Sequence, residues 1–142
     1  MKITTRYTAL ALLVSSLCLN AMAASVSSAE SLAQGDRLWA QGKLQDARAA
    51  FEQAVQSDPR SGPALMKLGG LLLSNQDFAA AIATYKKAIG LDGNNARAWM
   101  GLGMAYLHTQ QKDLSRAAFG EAVRIEPARK QQLAALIEAP AP

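Results

Sequence analysis

Reactive side chains are scarce in this sequence. Its 142 residues hold one cysteine, Cys18, and one histidine, His108. A lone cysteine closes no intrachain disulfide, and one histidine cannot build the usual zinc sites, which draw on several Cys or His ligands. No serine stands in the G-x-S-x-G setting of a hydrolase elbow, and the carboxylates Asp58, Asp92 and Glu126 occur singly. "GLGMAY" at 101–106 carries the first two glycines of a dinucleotide loop, but Tyr106 replaces the third and no strand precedes it. Aromatic residues are 6% of the chain, and none interleaves with Lys86-Lys87 or Arg129-Lys130 as single-stranded nucleic-acid binding would require. His108 falls at the carboxyl end of an expected helix, where its cation suits the helix dipole. These absences argue for a protein that is not an enzyme, with no cofactor, no metal and no nucleic-acid partner.

A bilayer-length apolar run is also missing. The stretch from about Ala9 to Leu19 is shorter than the roughly 20 residues a spanning helix needs. It follows Lys2 and Arg6 and precedes Ala21-Met22-Ala23, the layout of a cleaved secretory leader. The alternative is a retained amino-terminal anchor. Leu17, just ahead of Cys18, does not fit a bacterial lipoprotein box. The reading is therefore a signal peptide at 1–23, cleavage after Ala23, and a periplasmic or secreted protein with no stable membrane insertion. Setting Lys2 and Arg6 aside lowers Lys plus Arg from 15 to 13 against 11 acids, a formal +2. That balance asks for no anionic polymer. The remaining 119 residues (142 less 23) make one domain.

What the chain does contain is a repeat. With a shift of 34, Gly35 falls on Gly69 and Gly103, and Ala47 on Ala81 and Ser115. Phe51 falls on Tyr85 and Phe119, Ala54 on Ala88 and Ala122, and Pro59 on Gly93 and Pro127. These residues resemble the tetratricopeptide repeat, W-x2-L-G-x2-Y followed by A-x3-F, A and P. The third unit fits best, through Trp99, Leu102, Gly103, Tyr106, Ser115, Phe119, Ala122 and Pro127. In the first unit Ser31 and Gln34 stand where large apolar residues are usual.

The resemblance implies an all-α, right-handed α-solenoid of three tandem helix-turn-helix units, at about 28–61, 62–95 and 96–127, plus a capping helix at 128–138. Helices are expected at about 29–41, 44–57, 62–74, 78–91, 96–109 and 112–125, with short disordered stretches at 24–28 and 139–142. The interior glycines Gly35, Gly69 and Gly103 would let the two helices of a unit approach across Ala47, Ala81 and Ser115, while Phe51, Tyr85 and Phe119 fill the gap toward the next unit. Gly101 has no place in this pattern.

The resemblance also implies a concave groove lined by the first helix of each unit. Its candidate partner-binding residues are Leu32, Asp36, Trp39, Met66, Leu73, Arg97, Met100, Met104, Leu107 and His108. Most are apolar, so the lysine- and asparagine-lined carboxylate clamp of chaperone-binding members is not expected. The expected role is an adaptor of the bacterial cell envelope, holding an apolar or amphipathic segment of a protein partner and serving assembly of an envelope complex or pilus. Asp36 and Arg97 would set the segment's orientation. Two alternatives stay open: Met66 and Met100 pack between adjacent first helices, or the apolar face is covered by another copy in a homo-oligomer.

Overall fold

The computed structural model describes residues 27–138. The expected leader, most of the 24–28 stretch and the 139–142 tail lie outside the described residues. All regular structure described is helical: α1 (27–40), α2 (Leu44–Ser57), α3 (Gly62–Ser74), α4 (Phe78–Leu91), α5 (Ala96–His108) and α6 (Lys112–Ile125). A single 3-10 turn, Pro127–Arg129, then leads into α7 (Lys130–Glu138). From α2 onward each helix packs on the next, and α3 also touches α5, the stacking of a solenoid. No described helix is long and apolar enough to cross a membrane.

Helix starts follow from local chemistry. The side chains of Ser61, Asp77 and Asn95 accept from the amides of Ala64, Ala80 and Ala98, satisfying donors the first turn leaves open. Lys43 and Gln111 cap nothing with their side chains, and Asp46 and Asp113 instead place negative charge in the first turns of α2 and α6. After α2 and α4, Asp58 and Asp92 each accept the amide two residues on, from Arg60 and Asn94. This explains the recurring aspartate as a turn residue.

The turn inside each hairpin repeats to the residue. Gly42, Gln76 and Gln110, spaced by 34, all have positive φ, at 75°, 63° and 61°. The amides of Lys43, Asp77 and Gln111 donate to the carbonyls of Leu38, Leu72 and Tyr106, and those of Gly42, Gln76 and Gln110 to Trp39, Leu73 and Leu107. That double closure is the Schellman ending of a helix, which turns on one left-handed residue. Glutamine holds the position twice, although such a conformation costs a non-glycine residue roughly 1–2 kcal/mol.

Two sequence expectations need correction. Residues 27 and 28 belong to α1 rather than to a disordered stretch: Ser28 is buried, and its Oγ donates to the Ala54 carbonyl at 2.9 Å, tying α1 to α2. The glycines, in turn, make room for the ring of their own unit. A Cβ at Gly35 would strike Phe51, one at Gly69 would come within 2.9 Å of Tyr85, and one at Gly103 within 2.6 Å of Phe119. The small residue still faces its glycine in the third unit, where Ser115 Oγ donates to the Gly103 carbonyl at 2.8 Å. Gly101 now has its reason, because a Cβ there would enter the Tyr85 ring.

The far end is closed by α7. Leu133 is buried with Phe119 and Ala122, while Lys130, Gln131 and Gln132 face water.

One chemical change should therefore act with opposite sign at two helical sites. Gly120 has open space around its absent Cβ, so Gly120→Ala should stabilise by up to about 1 kcal/mol through helix propensity. Gly103→Ala should destabilise by about 1–3 kcal/mol through overpacking against Phe119. Urea unfolding of both variants measures this, and equal shifts of the same sign would refute the packing account.

Candidate functional site

The expected groove residues are all half-buried or exposed, none sealed in the core. Leu32, Trp39, Met66 and Leu73 lie against the main core of α2–α6. Trp39 meets Phe51 edge-on, ring centroids 6.0 Å apart, and its Cη2 would stand 3.5 Å from a Cβ on Gly70. The edge of the indole thus lies beside Gly70, at ordinary contact distance from where a Cβ would stand.

An open cavity of about 600 Å³ begins beneath this indole, lined by Trp39, Pro63, Met66, Lys67, Leu91 and Arg97 among others. A shallower opening of about 440 Å³ lies beside it, between Asp36, Trp39, Ala40 and Lys67. Of the ten sequence-derived residues, the larger cavity brings together Trp39, Met66 and Arg97, and Asp36 joins at its neighbour. Asp36 is already engaged by Lys67, Nζ to Oδ1 at 2.7 Å, across α1 and α3. Arg97 is exposed and makes no ion pair with any described residue.

The other residues are placed differently. Met100 and Met104 pack against the second core cluster, formed by Phe119, Ala122 and Leu133. Leu107 is half-buried outside the cavity. His108 ends α5 and stacks on Phe78, centroids 4.6 Å apart and planes within 2°, at the turn edge of the array.

Sequence reasoning passed over two features. The first is Tyr85, which is 4% exposed and enclosed by Gly69, Gly70 and Gly101. Its signal was present as a glycine pair and an unexplained third glycine. Burial pushes its phenol from the ordinary 10 up to about 12. The second is a mainly apolar cavity of about 330 Å³ on the side of the second helices, between α4 and α6, with Trp99, Tyr106 and the exposed Leu114 in its wall. Lys86 lies over the Tyr106 ring, 5.8 Å from its centroid. Among the described residues no group of three or more His, Cys, Asp or Glu could hold a metal ion.

The Tyr85 shift has a measurable consequence. A folded pKa above the unfolded one means its contribution to stability is whole below pH 10 and is lost as pH climbs toward about 12. Tyr85→Phe removes this ionisation, so its melting temperature should fall less steeply than the wild type's over that window. Parallel alkaline melting profiles would refute the burial of the phenol.

Comparison with known proteins places this geometry. Two tetratricopeptide repeat profiles match, one over residues 32–96 and one over 72–139. The peroxisomal targeting signal receptor of Komagataella phaffii is 40% identical over 75 residues, 52% of this chain. The chain spans only 13% of that receptor's length. Among solved structures, the first such domain of Spaghetti (RPAP3), bound to the HSP90 peptide SRMEEVD, superposes with a TM-score of 0.75 at 18% identity, covering 81% of this chain and 94% of that one. The TPR2B domain of yeast Sti1, in a complex with an Hsp70 peptide, gives 0.74 at 18% identity, covering 80% and 95%. The matched residues, 32–139 in all, together with three glycine-and-ring hairpins in tandem, show that this chain belongs to the tetratricopeptide repeat family.

Proposed function

We propose that this chain is a non-catalytic adaptor that holds an apolar or amphipathic segment of another protein along the face bearing Trp39. The observation that carries the reading is the open cavity of about 600 Å³ under that indole, walled by Pro63, Met66 and Leu91. A concave, largely apolar site with a few polar groups at its edge is what recognition of a polypeptide segment asks for. Met66 suits such a wall because a thioether side chain adapts to varied shapes. The RPAP3 and Sti1 domains, whose structures hold peptides, lend support by likeness of fold.

The setting we propose is the bacterial cell envelope, where the adaptor serves assembly of an envelope complex or pilus. The support is the leader-like pattern of residues 1–23, with basic start, short apolar core and Ala21-Met22-Ala23. A second reading, in which another copy covers the groove, draws on Leu91, a cavity residue 41% exposed.

Two experiments test the proposal. Chain recovered from expressing bacteria should have a mass that begins at Ala24, and a mass beginning at Met1 would overturn export with cleavage. Partners crosslinked in the intact envelope and identified by mass spectrometry should be lost from a chain carrying Trp39→Ala and Met66→Glu, folding being checked by circular dichroism. Undiminished capture would overturn the groove reading. Light scattering showing a dimer that this double variant dissolves would favour the second copy instead.

A further inference from the structure

The three repeated rings are alike in packing and differ in one atom. Phe51 and Phe119 fill the notches of units one and three, so the core has no need of a hydroxyl at this position. Unit two nevertheless has Tyr85. Its ring runs between Gly69 of α3 and Gly101 of α5, and its Oη ends 4.0 Å from where a Cβ on Gly70 would lie. That same Cβ position is 3.5 Å from Trp39 Cη2, which sets the hydroxyl near the indole.

There the hydroxyl has nothing to bond. Tyr85 makes no hydrogen bond with any described residue. No fully buried side-chain nitrogen or oxygen among the described residues lacks a partner, so this oxygen is reached by solvent. A side chain 4% exposed thus keeps one polar atom that is neither sealed off nor bonded to a described residue. Leaving a desolvated donor unpaired is costly when a partner then covers it, which makes the donor a strong selector of what may cover it.

The polar groups around it are biased the same way. Asp36 is held by Lys67, the Asp92 carboxylate takes the Asn94 amide, and the Asn95 side-chain oxygen takes the Ala98 amide. Arg97 remains a donor without an ion pair. Each of these acceptors thus has a partner already, while the Tyr85 hydroxyl and Arg97 have none among the described residues. An occupant that brings acceptors satisfies both unpartnered donors.

Building on the groove reading above, we infer that Tyr85 is its polar anchor, with the hydroxyl donating to a main-chain carbonyl oxygen of an extended, acceptor-rich peptide segment laid across Gly70. Gly70 leaves α3 bare, so a peptide backbone can come close enough for a short group such as a carbonyl to reach the recessed oxygen. An acidic side chain of the same segment meets Arg97, and an apolar one enters the cavity under Trp39. This is a condition on what the groove accepts, beyond the presence of a groove.

The test uses a random decapeptide display library panned on the immobilised chain. The strongest peptide is then titrated calorimetrically against wild type, Tyr85→Phe, Gly70→Val and Trp39→Ala. Tyr85→Phe should weaken binding about 2- to 10-fold, the worth of one hydrogen bond, while keeping or raising the melting temperature, since phenylalanine is the ring of the other two units. Gly70→Val should weaken binding as much or more by standing over the hydroxyl. Unchanged affinity in Tyr85→Phe, for a peptide that Trp39→Ala loses, would overturn the anchor and leave the groove reading intact. A library yielding no binder, or binders indifferent to Trp39→Ala, would overturn the groove reading and the anchor with it.

Discussion

Everything in this fold depends on a ring lodged in a notch that a missing side chain leaves open. Phe51, Tyr85 and Phe119 cross from the second helix of each hairpin to the bare backbone at Gly35, Gly69 and Gly103. A glycine inside a helix costs about 1 kcal/mol against alanine, so the notch weakens the element that carries it. Burial of a whole aromatic side chain, worth about 1.5–3 kcal/mol, more than offsets that loss. A hairpin of this kind still leaves one side open. Stacking the next hairpin on it closes the side, and α7 does so for the last.

The same notch sets the shape of the surface. With rings recessed between first helices, those helices form the groove wall, and Trp39 lines its main cavity. Electrostatics add little to the frame. Arg48 pairs with Glu52 within α2 and with Asp77 at the start of α4, but these groups are a third or more exposed, where such pairs contribute about 0–1 kcal/mol. Cohesion comes from packing.

Much of this was legible from residues alone. The 34-residue register set out helices that the structure places within one or two residues at α2–α6, because turn aspartates, caps and prolines act locally. The left-handed positions were hidden. Glycine marks only the first of them, and Gln76 and Gln110 give no compositional sign of positive φ. The groove was legible in part. Trp39, Met66 and Arg97 meet at one cavity, whereas Met100 and Met104 pack on the cluster around Phe119 and His108 stacks on Phe78. A helical position says which way a side chain leaves its axis, but not which neighbour is waiting there.

The sequence by itself determined the repeat, the number of hairpins and the bounds of α2–α6, since each depends on residues within one turn or one unit of each other. Only the tertiary structure decided what Gly101 is for and where the Tyr85 hydroxyl goes. Both belong to contacts made between neighbouring units: a ring from α4 reaches past α3 to lie against α5. Contacts of that kind come into being when hairpins dock, and no spacing within the chain encodes which atoms they leave facing the groove.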